Sequence, residues 1–312
     1  MPLVSVVIPS YNHEKFVSEA IESILGQDIE DLELIIVDDA STDSSRQIIQ
    51  KYAAEDSRIR AILHQTNCRI AKTLNDAIAA AKGKYVSDIS SDDVWMKDKL
   101  SKQLAVLESD EDLIVWSEAE IIDESGQPVG STLSELSGGV SVKKSGDIFH
   151  EILERCPLCG STLFHKREDL GGIRFDERLK YVNDWKIKLE LAAKYEFFYI
   201  EEPLAQYRIH ANNTWGTRGP QGEVERVAHK DFILVLEYVL SQWHHRMSAE
   251  AKATALEDLG GLYYEFGQNR KALVSFCRAF AYGPFRRSNL QYPRRFFQLM
   301  RDVVGLGIRE RT

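Results

Sequence analysis

The sequence predicts an α/β fold with a mainly parallel central sheet, helices on both faces and a helical extension at the C-terminus. In the first 120 residues, short apolar runs alternate with segments whose apolar residues recur at helical spacing. Such alternation is typical of parallel strands joined by right-handed helical crossovers. Polar residues also follow three of these runs directly. They therefore lie at the carboxyl ends of the strands, where open α/β sheets bind ligands.

The elements of the first 120 residues follow in a regular order. The predicted strands cover Leu3–Ile8 (ended by Pro9), Leu32–Val37, Ile59–His64, Tyr85–Ile89 and Leu113–Ser117. Between them, predicted helices begin near Phe16, Ser44, Ile70 and Lys97. Ser41 or Asp43 is expected to cap the second helix, and Gly83 is expected to end the third.

The rest of the chain falls into two blocks. The first contains a loop or short hairpin at 124–146, helices near Asp147–Arg155 and Asp184–Lys194, and strands at Thr162–His165, Phe197–Ile200 and Ala205–Ile209. From about Gln221 the pattern is helical, and the stretch from Gly261 to Phe280 resembles one helix-turn-helix unit of the tetratricopeptide type. We therefore expect a domain over residues 1–215 and a helical extension over 216–312.

Composition and charge restrict the partners. The net charge of −9 argues against nucleic acid as a partner, because its phosphates attract basic surfaces. The end of the chain is basic and aromatic, with Arg286, Arg287, Arg294 and Arg295 among Phe285, Tyr292, Phe296 and Phe297. This tail favours either peripheral contact with an anionic membrane surface or a helix packed on the protein. Since no leader and no membrane-spanning run is evident, we expect a cytoplasmic protein, placed at the inner membrane face if the tail binds lipid.

Two pairs of aspartates carry the chemical interpretation. Asp92 and Asp93 follow a buried strand and suit a hard cation, Mn²⁺ or Mg²⁺, although a turn with a helix cap is the alternative. Asp38 and Asp39 follow another strand, where a carboxylate accepts hydrogen bonds from a nucleobase or a ribose, or else caps a helix. Tyr11 offers an aromatic face for stacking on a base.

Together these segments resemble the family 2 glycosyltransferases, which have a single nucleotide-binding α/β domain of the GT-A type. The resemblance rests on six segments in order: Val4–Asn12, Ile36–Asp43, Asn67–Asn75, Ser90–Asp93, Asn183–Trp185 and Tyr207–His210. It covers roughly residues 2 to 215. It implies metal-dependent transfer of a sugar, with inversion, from a nucleotide-sugar donor such as a UDP-sugar to a saccharide or lipid-linked acceptor in surface polysaccharide or glycolipid synthesis.

The resemblance also implies roles for individual residues. Residues 1–120 become the donor-binding half and 121–215 the half with the acceptor and the base. Asp39 matches the carboxylate that recognises the base, with Pro9 and Tyr11 lining the base pocket. Asp92 and Asp93 match the end of the metal motif, with Asp93 favoured as the direct ligand. Asp184 matches the general base, with a helix cap as the alternative, and Arg208 and His210 are expected near the diphosphate.

The sequence departs from the family pattern at two positions. Ser90 stands where the metal motif often begins with Asp, which weakens the expected metal site. Arg69 stands where a glycine is common and is expected to contact the diphosphate instead. A nucleotidyltransferase and a non-enzymatic helical adaptor are the alternative functions. The first favours a glycine-rich basic loop after the first strand, and the second leaves the placed aspartates unexplained.

Overall fold

The computed structural model describes residues 1–136, 144–154, 156, 158–211, 213, 223–284, 295–296 and 298–300. The chain divides into two compact units, Met1–Pro220 and Gln221–Thr312. The assignment of separate roles to the parts of the chain stays a prediction.

The first unit is built around two sheets. Its strands are β1 (Val4–Ser10), β2 (Leu32–Asp38), β3 (Ile59–Leu63), β4 (Tyr85–Asp88), β5 (Val94–Trp95), β6 (Leu113–Ile122), β7 (Pro128–Thr132), β8 (His165–Lys166) and β9 (Glu196–Arg208). The main sheet has the order β3-β2-β1-β4-β8. Its first four strands run parallel, and β8 is antiparallel to β4. The predicted fold class is confirmed, since the carboxyl ends of four parallel strands meet at one edge.

Helices cover both faces of the main sheet. Those of the first unit are α1 (Val17–Leu25), α2 (Ser45–Glu55), α3 (Arg69–Ala80), α4 (Lys99–Ser109), α5 (Leu133–Leu136), α6 (Phe149–Glu154) and α7 (Asn183–Ala192). Ile8 and Ile36 share one buried apolar cluster with Ile21 of α1 and Leu104 of α4. Neighbouring side chains of a strand point to opposite faces. The alternate residues therefore face α3, which packs on β1 and β2.

The second sheet differs from the prediction. Its order is β5-β9-β6-β7, with β6 parallel to β9. The two strands predicted at Phe197–Ile200 and Ala205–Ile209 are one strand, β9. The register between β6 and β9 shifts at Glu118. This irregularity accommodates the Glu201–Pro203 segment, which interrupts the apolar pattern without ending the strand.

Pro9 and Gly83 act differently from the prediction. Pro9 does not end β1 but continues it. The pairing of β1 with β4 ends at Val7 and Asp88, so no hydrogen bond to β4 is lost because proline has no N–H. The helix α3 ends at Ala80 without Gly83. Gly83 instead lies against β1, where a Cβ would approach the Ser5 nitrogen to 2.5 Å. Glycine is required there for close approach of two backbones.

Two predicted boundaries also change near the functional segments. The N-cap of α2 is Ser44, although Asp43 Oδ1 accepts a hydrogen bond from the Ser45 amide at 2.9 Å. The strand predicted at Thr162–His165 is a turn of 3₁₀ helix at Gly160–Thr162 followed by β8. Ser161 in this turn bonds back to the end of β4, which explains why the chain bends before pairing.

The described part of the second unit contains three α-helices. They are α8 (Glu223–Gln242), α9 (Ala249–Glu265) and α10 (Asn269–Phe280). The Phe276 ring of α10 packs closely against Gly260 of α9. A Cβ at position 260 would lie 2.8 Å from two carbons of that ring. Among the described helices, none combines the length and the apolar character needed to cross a bilayer.

The basic tail is described in part. Arg286, Arg287 and Arg294 lie outside the described residues, as do Phe285, Tyr292 and Phe297. Arg295 lies over the Tyr264 ring at 5.5 Å, and Leu299 is fully buried. These contacts support packing of the tail on its own unit, while the predicted membrane contact stays a prediction.

Candidate active site

The loops after β1 and β2 are tied together. Asn12 has a φ of 53°, a left-handed conformation that asparagine tolerates better than most residues. Its side-chain oxygen accepts a hydrogen bond from the Thr42 amide at 2.8 Å, and its own amide donates to Ser41 Oγ. These bonds hold the two loops side by side at the carboxyl edge. Tyr11 is 45% exposed beside them, whereas Pro9 is buried within β1.

Asp39 holds the beginning of α3. It is 3% exposed, and its carboxylate accepts hydrogen bonds from the amides of Cys68 at 2.7 Å and Arg69 at 2.8 Å. A carboxylate at a helix N-terminus accepts hydrogen bonds from amides that have no partner within the helix, and its charge is stabilised by the positive end of the helix dipole. His64 Nδ1 lies 2.8 Å from the same carboxylate. The role of Asp39 in recognising a base stays a prediction, and the structure adds that it fixes the start of α3.

Arg69 has a φ of 72°, in the left-handed region that favours glycine. This conformation explains why glycine suits the position. We expect Arg69→Gly to raise the free energy of unfolding by about 1 kcal/mol, because it removes the steric cost of a Cβ there. Thermal or urea unfolding measures the change. Arg69→Ala keeps the Cβ and is the control, so an equal gain in Arg69→Ala would attribute the effect to the lost side chain instead.

Asp93 is enclosed by protein donors. Its two oxygens accept from Ser161 Oγ at 2.6 Å and from the Arg208 amide at 3.1 Å, and the residue is 1% exposed. Burial, with repulsion from Asp92, raises the pKa of Asp93 well above its usual range. The role of Asp93 as the direct metal ligand stays a prediction, and the structure adds that its carboxylate is held by two protein donors. Asp93 anchors β9 and the Gly160–Thr162 turn to the end of β4.

Asp92 points instead to two imidazoles. Its carboxylate lies 3.0 Å from His210 Nε2 and 3.9 Å from His13 Nδ1. The ligand atoms of these three residues lie within 4.8 Å of one another. Because two atoms that each lie about 2.1 Å from one ion are at most about 4.2 Å apart, a small movement closes the group around a cation. Nitrogen and carboxylate donors of this kind fit a divalent metal.

Arg208 is buried beside Asp92. Its side chain is 1% exposed, and its guanidinium donates to the Asp92 carbonyl at 2.8 Å and to Glu19 Oε2 at 2.6 Å. It also reaches the carbonyls of Asp123 and Glu124. These acceptors enclose the guanidinium beside Asp92, and the expected position of Arg208 near the diphosphate stays a prediction. Arg208 positions the Asp92 backbone. His210 follows two residues after the end of β9 and lies beside Asp92 and His13.

His13 was absent from the sequence prediction. It follows Asn12 at the end of β1, and its Nδ1 lies 2.8 Å from Ser91 Oγ. Burial lowers the pKa of His13, opposed by the negative charge of Asp92. The sequence position of His13 could have indicated this role. His13 directly follows the polar residues at the carboxyl end of the first strand, and the carboxyl ends of parallel strands meet at one edge.

Asp184 lies in the first turn of α7, with its side chain 54% exposed. Lys188 Nζ donates to its carboxylate at 2.9 Å and to the Leu158 carbonyl at 2.7 Å. Burial opposes the charge of Lys188, but Asp184 raises the pKa of this lysine above its usual value. The paired ammonium therefore stays protonated and orients an accessible carboxylate, as a proton acceptor requires.

The neighbouring charges connect Asp184 with the aspartates of β4. Burial, followed by the charges of Asp93, Cys159, Asp92 and Asp184, raises the pKa of the Tyr207 hydroxyl. Burial also raises the pKa of Asp88 to about 6, opposed by Lys188 and Lys99 and increased by Asp184. Asp184 thus adds its negative charge to those of Asp92 and Asp93 at the Tyr207 hydroxyl.

Comparisons with known proteins identify the family of this chain. Residues 5–158 match the family described as Glycosyl transferase family 2. A glycosyltransferase of Bacillus subtilis named for teichuronic acid biosynthesis is 30% identical over 213 residues, which cover 68% of this chain and 81% of that protein.

Solved structures resemble the fold at low identity. TarS of S. aureus, residues 1–349 in complex with UDP-GlcNAc, matches with a TM-score of 0.62 and 17% identity over 96% of this chain and 80% of that one. The match spans 53% of the longer TarS chain. The mannosyltransferase PcManGT of Pyrobaculum calidifontis, in complex with GDP-Man and Mn²⁺, matches with a TM-score of 0.59 and 15% identity over 96% and 84%. The chain belongs to glycosyl transferase family 2 and is a glycosyltransferase.

Proposed function

We propose that this enzyme transfers a sugar from a UDP-sugar to a hydroxyl group, with a divalent cation and with inversion at the anomeric carbon. The family membership argues against the two alternative functions, a nucleotidyltransferase and a helical adaptor. The observation that carries the proposal is the meeting of Asp92 and His210 with the loops of β1 and β2 at one edge of the sheet. The complex of the related TarS fold with UDP-GlcNAc supports the choice of donor.

The donor is proposed to lie across the carboxyl edge. Tyr11 would stack on the base, and Asp39 would accept a hydrogen bond from it or from the ribose. Asp92 and His210 would hold Mn²⁺ or Mg²⁺, and Arg69 would lie near the diphosphate. A bound cation there neutralises the charge that develops on the departing diphosphate. The complex of the similarly folded PcManGT with GDP-Man and Mn²⁺ supports a metal-dependent reaction.

Asp184 is the proposed general base. As the acceptor oxygen attacks the anomeric carbon, Asp184 takes the proton of the hydroxyl, and the bond from that carbon to the diphosphate oxygen breaks. Attack opposite the leaving group inverts the carbon. The exposure of Asp184 supports this role, because an acceptor can reach it. Its hydrogen bond to Lys188 fixes the carboxylate during the approach.

The acceptor is proposed to be a saccharide or a lipid-linked saccharide, in the synthesis of a surface polysaccharide or glycolipid. The relative named for teichuronic acid biosynthesis supports this class. The proposal places the reaction in the cytoplasm, at the inner membrane face where the basic tail would contact anionic lipid.

Calorimetry of nucleotide binding tests the proposal. We expect UDP to bind at least about tenfold more tightly with Mn²⁺ than with a chelator, since the diphosphate gains a charged partner worth about 1.4 kcal/mol or more. GDP is the matched nucleotide and should bind more weakly than UDP. Equal UDP affinity with and without the metal would reject metal dependence, and no binding of either nucleotide would reject the donor class.

A further inference from the structure

The metal group contains an imidazole from the β1 loop that the proposed function does not use. His13 Nδ1 lies 3.9 Å from Asp92 Oδ1, and the His13 and His210 rings pack edge to face with centroids 5.6 Å apart. The three residues come from the ends of β1, β4 and β9 and converge on one point. Their donor atoms are two imidazole nitrogens and the oxygens of one carboxylate.

This donor set differs from the all-oxygen surroundings that Mg²⁺ prefers. Imidazole is a common ligand of Zn²⁺ and of other first-row transition metals. The affinity of a site with nitrogen donors for divalent ions increases from Mn²⁺ through Fe²⁺ to Co²⁺. A single carboxylate also supplies only one negative charge, which disfavours a strongly hydrated ion. Ser90, one residue before Ser91, adds no further carboxylate at the end of β4.

We propose that His13, Asp92 and His210 form a three-residue metal site that binds Co²⁺ and Zn²⁺ more tightly than Mn²⁺, and Mn²⁺ more tightly than Mg²⁺. The inference rests on the proposed metal-dependent function and adds a ligand and a selectivity to it. In this proposal His13 sets the preference among metals, because it supplies a nitrogen ligand where an all-oxygen site would have a further oxygen.

A second group in the described part of the chain, Asp39, His64 and Cys68, also has ligand atoms within 4.8 Å. Its donors are already engaged. His64 contacts Asp39 through Nδ1 at 2.8 Å and Asp76 through Nε2 at 3.1 Å, and Asp39 accepts two backbone amides. In the His13 group a cation would displace the His13 contact with Ser91 Oγ and the His210 contact with Asp92. In the second group it would also have to displace the two backbone amides that Asp39 holds at the start of α3, so the His13 group is the stronger candidate.

Binding of Co²⁺, Mn²⁺ and Mg²⁺ to the nucleotide-free enzyme tests the inference, with calorimetry for affinity and the visible absorption of Co²⁺ for the ligands. We expect the wild type to bind Co²⁺ at least about tenfold more tightly than Mg²⁺. His13→Ala should weaken Co²⁺ binding by at least about tenfold and change its absorption spectrum. His64→Ala is the matched control and should bind Co²⁺ as the wild type does.

His13→Asp sharpens the test, because an aspartate Oδ is attached to Cγ as the histidine Nδ1 is and can take its place. We expect this variant to retain metal binding and to shift its preference towards Mn²⁺ and Mg²⁺. Unchanged Co²⁺ affinity in His13→Ala, loss of it in His64→Ala alone, or an unchanged order of metals in His13→Asp would each overturn the inference. Since no nucleotide is present, these results are independent of whether UDP is the donor ligand.

Discussion

Replacing Asp92 by Asn should reduce turnover by about a thousandfold while leaving the fold intact. The change removes the one carboxylate of the proposed metal group, and several kcal/mol of stabilisation of the leaving diphosphate correspond to such a factor. His210 Nε2, 3.0 Å from Asp92 Oδ2, can still bond to the amide, so the local packing is retained. Steady-state kinetics at saturating Mn²⁺, with circular dichroism as a check of folding, measures the effect.

Asp93→Asn is the matched comparison at the neighbouring position. Asp93 accepts from Ser161 Oγ and the Arg208 amide, and an asparagine oxygen can keep one of these bonds. We expect this variant to lose stability by about 1–3 kcal/mol while keeping metal-dependent UDP binding. A larger loss of metal binding in Asp93→Asn than in Asp92→Asn would return the ligand role to Asp93.

Asp184→Asn is expected to lower turnover by about a hundredfold to ten-thousandfold without weakening UDP binding. The amide cannot accept the proton of the acceptor, which removes general-base assistance. Its oxygen can still accept the hydrogen bond from Lys188, so the buried ammonium keeps a partner besides the Leu158 carbonyl. Turnover with saturating donor, together with calorimetry of UDP, separates the chemical step from binding.

Glu250→Gln controls for the loss of a charge from the first turn of a helix. Glu250 is exposed in the first turn of α9, in the second unit. The substitution should leave turnover unchanged, because a favourable helix-dipole contact contributes only about 0.3–1 kcal/mol to stability. If Asp184→Asn transfers sugar at nearly the wild-type rate, Asp184 is the N-terminal acid of α7 and no more than that.

The sequence by itself determined the parallel sheet and the edge at which the site forms. Apolar periodicity is a local property, and it shows which segments are strands and which are helices. Parallel strands bring their carboxyl ends together, so Asn12, Asp39 and Asp92 were predicted to share one edge without knowledge of their contacts. The order of six short segments added the family, which the comparisons then confirmed over residues 5–158.

The tertiary structure decided which side chains of that edge face one another. Asp92 and Asp93 are neighbours in sequence, yet Asp93 is held by Arg208, 115 residues away, while Asp92 meets His210, 118 residues away. The buried guanidinium of Arg208 likewise has its partner Glu19 at a separation of 189 residues. Local periodicity carries no information on such pairs, because both aspartates lie beyond the end of β4 and distant segments supply their partners.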